Sequence, residues 1–197
     1  MRAETIVALL AWSAVIANTA LRISRGEGPG EAIWTQARYF TFLTNTTVAL
    51  IFTHAALTGR GPGASLAGAA TVWISVVGLV YHALLNQGFV PSQPDFWTDH
   101  MLHTVVPLTV FGYWALRAEK AGLGLRDAVI WAGFPMAYLV YALGRGLIDG
   151  RFPYYFIDPS DIGWAGVAIW VTGLTTLFVG LGWALTLAGR TRVLSRT

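Results

Sequence analysis

Six runs of apolar residues dominate this chain, at 5–21, 39–57, 66–85, 99–116, 128–147 and 162–187. A helix needs about 20 residues (range ~17–25) to cross the hydrocarbon core of a bilayer, and each run is close to that length. Bilayer interiors offer no water to backbone amides, so spans this long and this uniformly apolar must be helical. The expected fold class is therefore all-α: a polytopic integral membrane protein with six transmembrane helices in one bundle, a single domain over 1–197. The first run reads as a span and not as a cleaved signal peptide, because it exceeds the usual apolar core of about 7–15 residues.

Composition agrees. Hydrophobic residues make up 55% of the 197 and charged residues only 12%, against about 25% charged in an ordinary soluble domain. There is no cysteine, which removes disulfides, thiolate metal sites and a cysteine nucleophile. A pI near 9.5 comes from a net charge of +3 spread over loops with no basic run, so no nucleic-acid partner is implied. Of thirteen Lys and Arg, the side holding both termini collects eight: Arg2, Arg60, Arg117, Lys120, Arg126, Arg190, Arg192 and Arg196. The other side has Arg22, Arg25, Arg38, Arg145 and Arg151. Both termini are expected in the cytoplasm. No internal repeat is visible. The longest connection, 22–38, leaves no room for a domain outside the membrane, so any chemistry lies in or beside the bilayer.

Reactive side chains converge on one level. At 1.5 Å per helical residue, Thr41, His82 and His103 lie about 3 to 6 Å below the outer boundary, where they can meet between helices. Arg38, Asp99, His100, Arg145 and the 152–158 segment, with Tyr155 and Asp158, lie at the same mouth. Ionisable residues at such depth are site candidates because they are costly to place there. Asp99 and His103, spaced i, i+4, share a helix face, so the carboxylate can hold one imidazole nitrogen while the other faces a substrate. Thr41, Thr44, Asn45 and Val48 fall on one face of the second span. Bland readings stand beside these. Span threonines commonly bond the backbone one turn back. Asp99, or Thr98, could cap a helix. His100 could bond water or lipid, and His82 a neighbouring helix. His54, at the other end, reads as structural. Pro107 is expected to kink the fourth span.

An aromatic-Thr-aromatic start to the second span, Phe40-Thr41-Phe42, accompanies His100-Met101-Leu102-His103-Thr104-Val105-Val106-Pro107 in the fourth. Together they resemble the androgen-induced and androgen-dependent membrane hydrolases, which cleave fatty-acid esters of hydroxy fatty acids, and especially their bacterial six-span relatives. Tyr155-Phe156-Ile157-Asp158 is similar to the family's Tyr-Pro-Phe-Leu-Glu stretch. Asp99 stands where the animal members carry asparagine, and Tyr154 where a proline is expected. The resemblance implies Thr41 as nucleophile and His103 as its base. Arg38, Asn45, His82, Asp99, His100, Arg145, Tyr155 and Asp158 would support the pair or contact substrate. It also implies a lipid-ester or fatty-acid substrate within a bacterial inner membrane, with no cofactor and no metal. An oxyanion donor would come from Asn45, Arg38 or a tyrosine of 152–158.

Other classes remain open at the level of sequence. His82, His100, His103 and Asp99 could hold zinc as an alternative hydrolase, although no H-E-x-x-H signature fixes such a site. Paired histidines could ligate haem, and the chain could bind lipid without chemistry.

Overall fold

The computed structural model describes residues 2–86, 88 and 90–194, with side chains to 190. Arg196, one of the basic residues used for orientation, lies outside the described residues. Among the described residues the structure is helical, with no strand. Five helices are long and apolar enough to cross a membrane: Ala3–Ser24, Phe40–Thr58, Ala64–Leu85, Leu125–Asp149 and Pro159–Arg190. Residues 94–116 also form an unbroken helical run. Asp95, Asp99, His100 and His103 make that run more polar than the other five.

The chain divides into two compact units, Met1–Gly122 and Leu123–Thr197. In the first, α1 (Ala3–Ser24) packs on α3 (Phe40–Thr58), and α4 (Ala64–Val80) packs on α3 and on α6 (Val106–Leu116). Small residues set these distances. Ala8, Ala11 and Ala14 of α1 are buried with Val48, Ala49, Phe52 and Ala55 of α3, because short side chains let helix backbones approach closely. Trp12 of α1 donates to Thr53 of α3 at 3.0 Å, pinning their rotation. The outward faces of these helices expose Leu9, Ile16, Leu50 and Leu57. That surface suits lipid contact. Helix α4 is the interior member, with 67% of its best span window buried against 28% for α1.

The 22–38 connection, to which the sequence assigned no helix, carries the short helix α2 (Pro29–Gln36). Its signal is local: proline at the first helical position, Glu31 in the first turn, and Ala32 and Gln36 turned inward. Gln36 donates to Thr19 of α1 at 3.0 Å. This fixes the entry into α3.

Two helices of this unit depart from α geometry where the candidate residues lie. The α4 helix ends in a π turn, Tyr81–Leu85. Helix α5 (Pro94–His100) continues through a second π turn, Met101–Val105, into α6. There the Val106 amide donates to the Met101 carbonyl, five residues back. Pro107 is the cause. It has no N–H for the His103 carbonyl and its ring would collide with that oxygen in a regular helix, so one extra residue is taken into the turn. The expected kink is thus a π turn.

In the second unit, α7 (Leu125–Trp131) continues into α8 (Gly133–Asp149), and a 3-10 turn at Tyr155–Ile157 precedes α9 (Pro159–Leu194). Gly163, at φ 68 and ψ 164, breaks the α9 run near its start in a conformation that favours glycine. Gly146 leaves space for Phe152, whose ring would lie 2.4 Å from an added Cβ.

Candidate active site

Thr41 sits in the first turn of α3 and His103 in the π turn before α6. The two sites of chemistry meet: Thr41 Oγ1 and His103 Nε2 are 3.2 Å apart. On the other edge of the ring, His103 Nδ1 lies 3.0 Å from the Asp99 carboxylate oxygen Oδ1 and 2.9 Å from the Asp99 carbonyl. Both neighbours of Nδ1 are acceptors, so Nδ1 carries the proton and donates. In a neutral imidazole this leaves Nε2 as the acceptor for the Thr41 hydroxyl. Carboxylate, imidazole and hydroxyl therefore stand in line. The His103 and Asp99 side chains are 11% and 17% exposed, dry enough to strengthen the hydrogen bonds yet open to a reactant.

The capping alternative for Asp99 disappears because its helix begins five residues earlier, at Pro94. Thr98 donates to the Asp95 carbonyl within the same helix. Asn45, fully buried one turn after Thr41, donates at 2.9 Å to the Thr41 carbonyl and at 3.3 Å to the Leu102 carbonyl. Both amide bonds are thus used, one within α3 and one that holds α3 against the site helix. That makes it a tether and leaves it without a donor for an oxyanion. Arg38 is buried just ahead of α3.

His82 does not join the pair directly. Its Nε2 is 2.9 Å from Thr104 Oγ1, beside His103 in the same π turn. His100 donates from Nδ1 to the Phe96 carbonyl at 2.8 Å and its ring lies against Phe96, 4.0 Å between centroids. Of the four groups of the zinc reading, Asp99 and His103 face each other while His82 and His100 face other partners. Among the described residues no three His, Asp or Glu side chains are grouped to hold a metal ion. His54 lies at the opposite end of this unit, beside Leu50, Thr58 and Arg60 on a cleft of about 940 Å³.

Tyr81 escaped the sequence reading. Its ring stacks on His103 with centroids 3.9 Å and planes 10° apart, and its hydroxyl donates to Asp99 Oδ2. The only signal for it was adjacency to His82, and a tyrosine near a span end is ordinarily an interface anchor. Gly78 also escaped notice. An added Cβ there would lie 2.9 Å from the His103 carbonyl oxygen, so glycine is what lets α4 reach the π turn.

At the rim, Arg25 donates to both carboxylate oxygens of Asp95 at 2.8 and 2.5 Å. These hydrogen bonds hold the Asp95 carboxyl below its usual range. Arg145, Tyr155 and Asp158 belong to the second unit. Arg145 is buried and donates to the Tyr141 hydroxyl at 2.8 Å. Tyr155 stands edge-on to Trp170. Asp158 accepts from the Ser160 amide at 2.8 Å, opening α9 as a cap.

No family model, curated protein or solved structure matches this chain.

Proposed function

We propose that this protein is an integral membrane hydrolase of lipid esters, with fatty-acid esters of hydroxy fatty acids as the substrate class. In this reading it is one six-span transmembrane domain of a bacterial inner membrane, with both termini cytoplasmic. The observation that carries the reading is the Thr41–His103–Asp99 line, 3.2 Å and 3.0 Å between successive partners. A threonine hydroxyl is a weak nucleophile at neutral pH and needs a base within about 2.6 to 3.2 Å.

Thr41 Oγ attacks the ester carbonyl carbon while its proton passes to His103 Nε2. Asp99 accepts the hydrogen bond of the imidazolium that forms. As the tetrahedral intermediate collapses, the bond to the alkoxy oxygen breaks and His103 returns the proton to the departing hydroxy acid. An acyl-threonine remains. Water then attacks the acyl carbon, giving its proton to His103, and the fatty acid leaves as Thr41 regains a proton. With Asn45 committed to backbone carbonyls, Arg38 is the candidate oxyanion donor within this unit.

The test is turnover of such esters by purified protein together with labelling by a fluorophosphonate probe. Thr41→Ala and His103→Ala are each expected to lower kcat by about three orders of magnitude or more, and the double variant scarcely further, since the two act as one unit. Thr41→Ser keeps the hydroxyl and should retain turnover. Folded Thr41→Ala protein that hydrolyses normally would refute the assignment.

A further inference from the structure

The mechanism above gives Tyr81 no task, yet it touches both groups that prepare the base. Tyr81 is 3% exposed. Its hydroxyl donates to Asp99 Oδ2 while Asp99 Oδ1 accepts from His103 Nδ1. The face of its ring covers the imidazole at 3.9 Å. A more distant acceptor, Asn86 Oδ1, lies 3.5 Å from the hydroxyl. The single phenolic hydrogen goes to the nearer and charged oxygen.

We propose that Tyr81 is a positioning residue that locks Asp99 and His103 in the one arrangement where Nε2 accepts from Thr41. A carboxylate bound through one oxygen can still rotate. A donor on the second oxygen stops that rotation, so Oδ1 remains an acceptor aimed at Nδ1. The imidazole has its own alternative, a half-turn that would set carbon atoms against Asp99 and Thr41. A stacked ring leaves only in-plane contacts and excludes the tilted path between the two positions. The π turn opening at Tyr81 serves the same end. Neighbouring residues of one helix reach neighbouring residues of the other, Tyr81 to His103 and His82 to Thr104.

The kinetic consequence rests on the hydrolase reading; the tautomer does not. The experiment therefore measures both, on full-length protein in detergent micelles with ¹⁵N-labelled histidine, the four resonances assigned by single His→Gln changes. Wild-type His103 is expected as the Nδ1–H tautomer. Tyr81→Phe keeps the ring and removes the hydroxyl, so kcat should fall about ten- to a hundred-fold, the range for a hydrogen bond to a charged group. KM should stay within about two-fold, because no substrate contact is lost. The His103 nitrogen shifts should move toward a tautomer mixture. Adding Tyr81→Phe to Asp99→Asn should cost little more, since one pathway carries both effects. Site-specific 3-fluorotyrosine at position 81 has the same shape and is a stronger donor, so it should displace the shifts in the opposite sense and serves if Tyr81→Phe unfolds. Unchanged nitrogen shifts in both variants would overturn the proposal. Changed shifts in a protein that hydrolyses no ester would retain the positioning role and sink the hydrolase reading alone.

Discussion

Placing a methyl group at Gly78 tests whether the close approach of α4 to the site helix governs both stability and chemistry. The added Cβ would lie 2.9 Å from the His103 carbonyl oxygen and 3.4 and 3.5 Å from Pro107 Cβ and Cγ. Ordinary contact with that oxygen is about 3.3–3.6 Å, so the helices must part by about half an ångström. The oxygen belongs to backbone inside a turn shaped by Pro107, and no rotamer change can move it aside. Overpacking of this kind costs about 1–3 kcal/mol. Alanine in place of glycine within a helix returns about 0.5–1 kcal/mol, leaving a net loss of up to about 2.5 kcal/mol. Gly112, in α6 of the same unit, is the control, because nothing lies within 4 Å of its added Cβ. Gly112→Ala should gain about 0.5–1 kcal/mol. The two variants should differ by the overpacking cost, about 1–3 kcal/mol, or about 2–12 °C in unfolding temperature for a chain of this size. Displacing His103 also disturbs its 3.2 Å contact with Thr41. Turnover should then fall about ten- to a hundred-fold. Detergent-solubilised protein, thermal unfolding and ester turnover suffice for the comparison. A Gly78→Ala protein as stable and as active as Gly112→Ala would refute the reasoning.

Asn45→Leu should cost about 1–2 kcal/mol for two lost backbone bonds, and Asn45→Asp more, because a buried carboxylate would face two carbonyl oxygens; thermal unfolding ranks the pair. Asp95 has its carboxyl lowered by hydrogen bonds from Arg25. The stabilisation it supplies is fully present above the unfolded value of about 3.9 and is lost as pH falls through the lower folded value. Arg25→Gln should flatten that acid limb in a pH series of unfolding temperatures. For topology, Pro94→Cys in this cysteine-free chain should label from the side opposite the termini, and cytoplasmic labelling alone would reverse the expected orientation while leaving the site intact.

Legibility followed the range of the interaction. Apolar runs are properties of neighbouring residues, so the sequence placed the long helices, four of its six runs to within about three residues at each end, and expected Asp99 and His103 on one face. Depth was legible too, because rise per residue is constant, and it set Thr41 level with His103. Rotation about each helix axis was not. The π turns at Tyr81–Leu85 and Met101–Val105 change that rotation locally, sending Tyr81 onto His103 and His82 onto Thr104. Pro107 announced a disturbed helix without saying that an inserted residue would absorb it. Asn45 could be named as a polar member of the site face, but its bond to the Leu102 carbonyl exists only once α3 and the site helix are side by side. The same holds for Gly78, whose missing side chain has meaning only against the His103 oxygen. Sequence alone determined the long apolar helical segments, though not the short α2, and which polar side chains lie on them, through contacts closed within a turn or two. Tertiary structure alone decided which groups touch, because it sets the azimuth and separation of helices far apart in the chain.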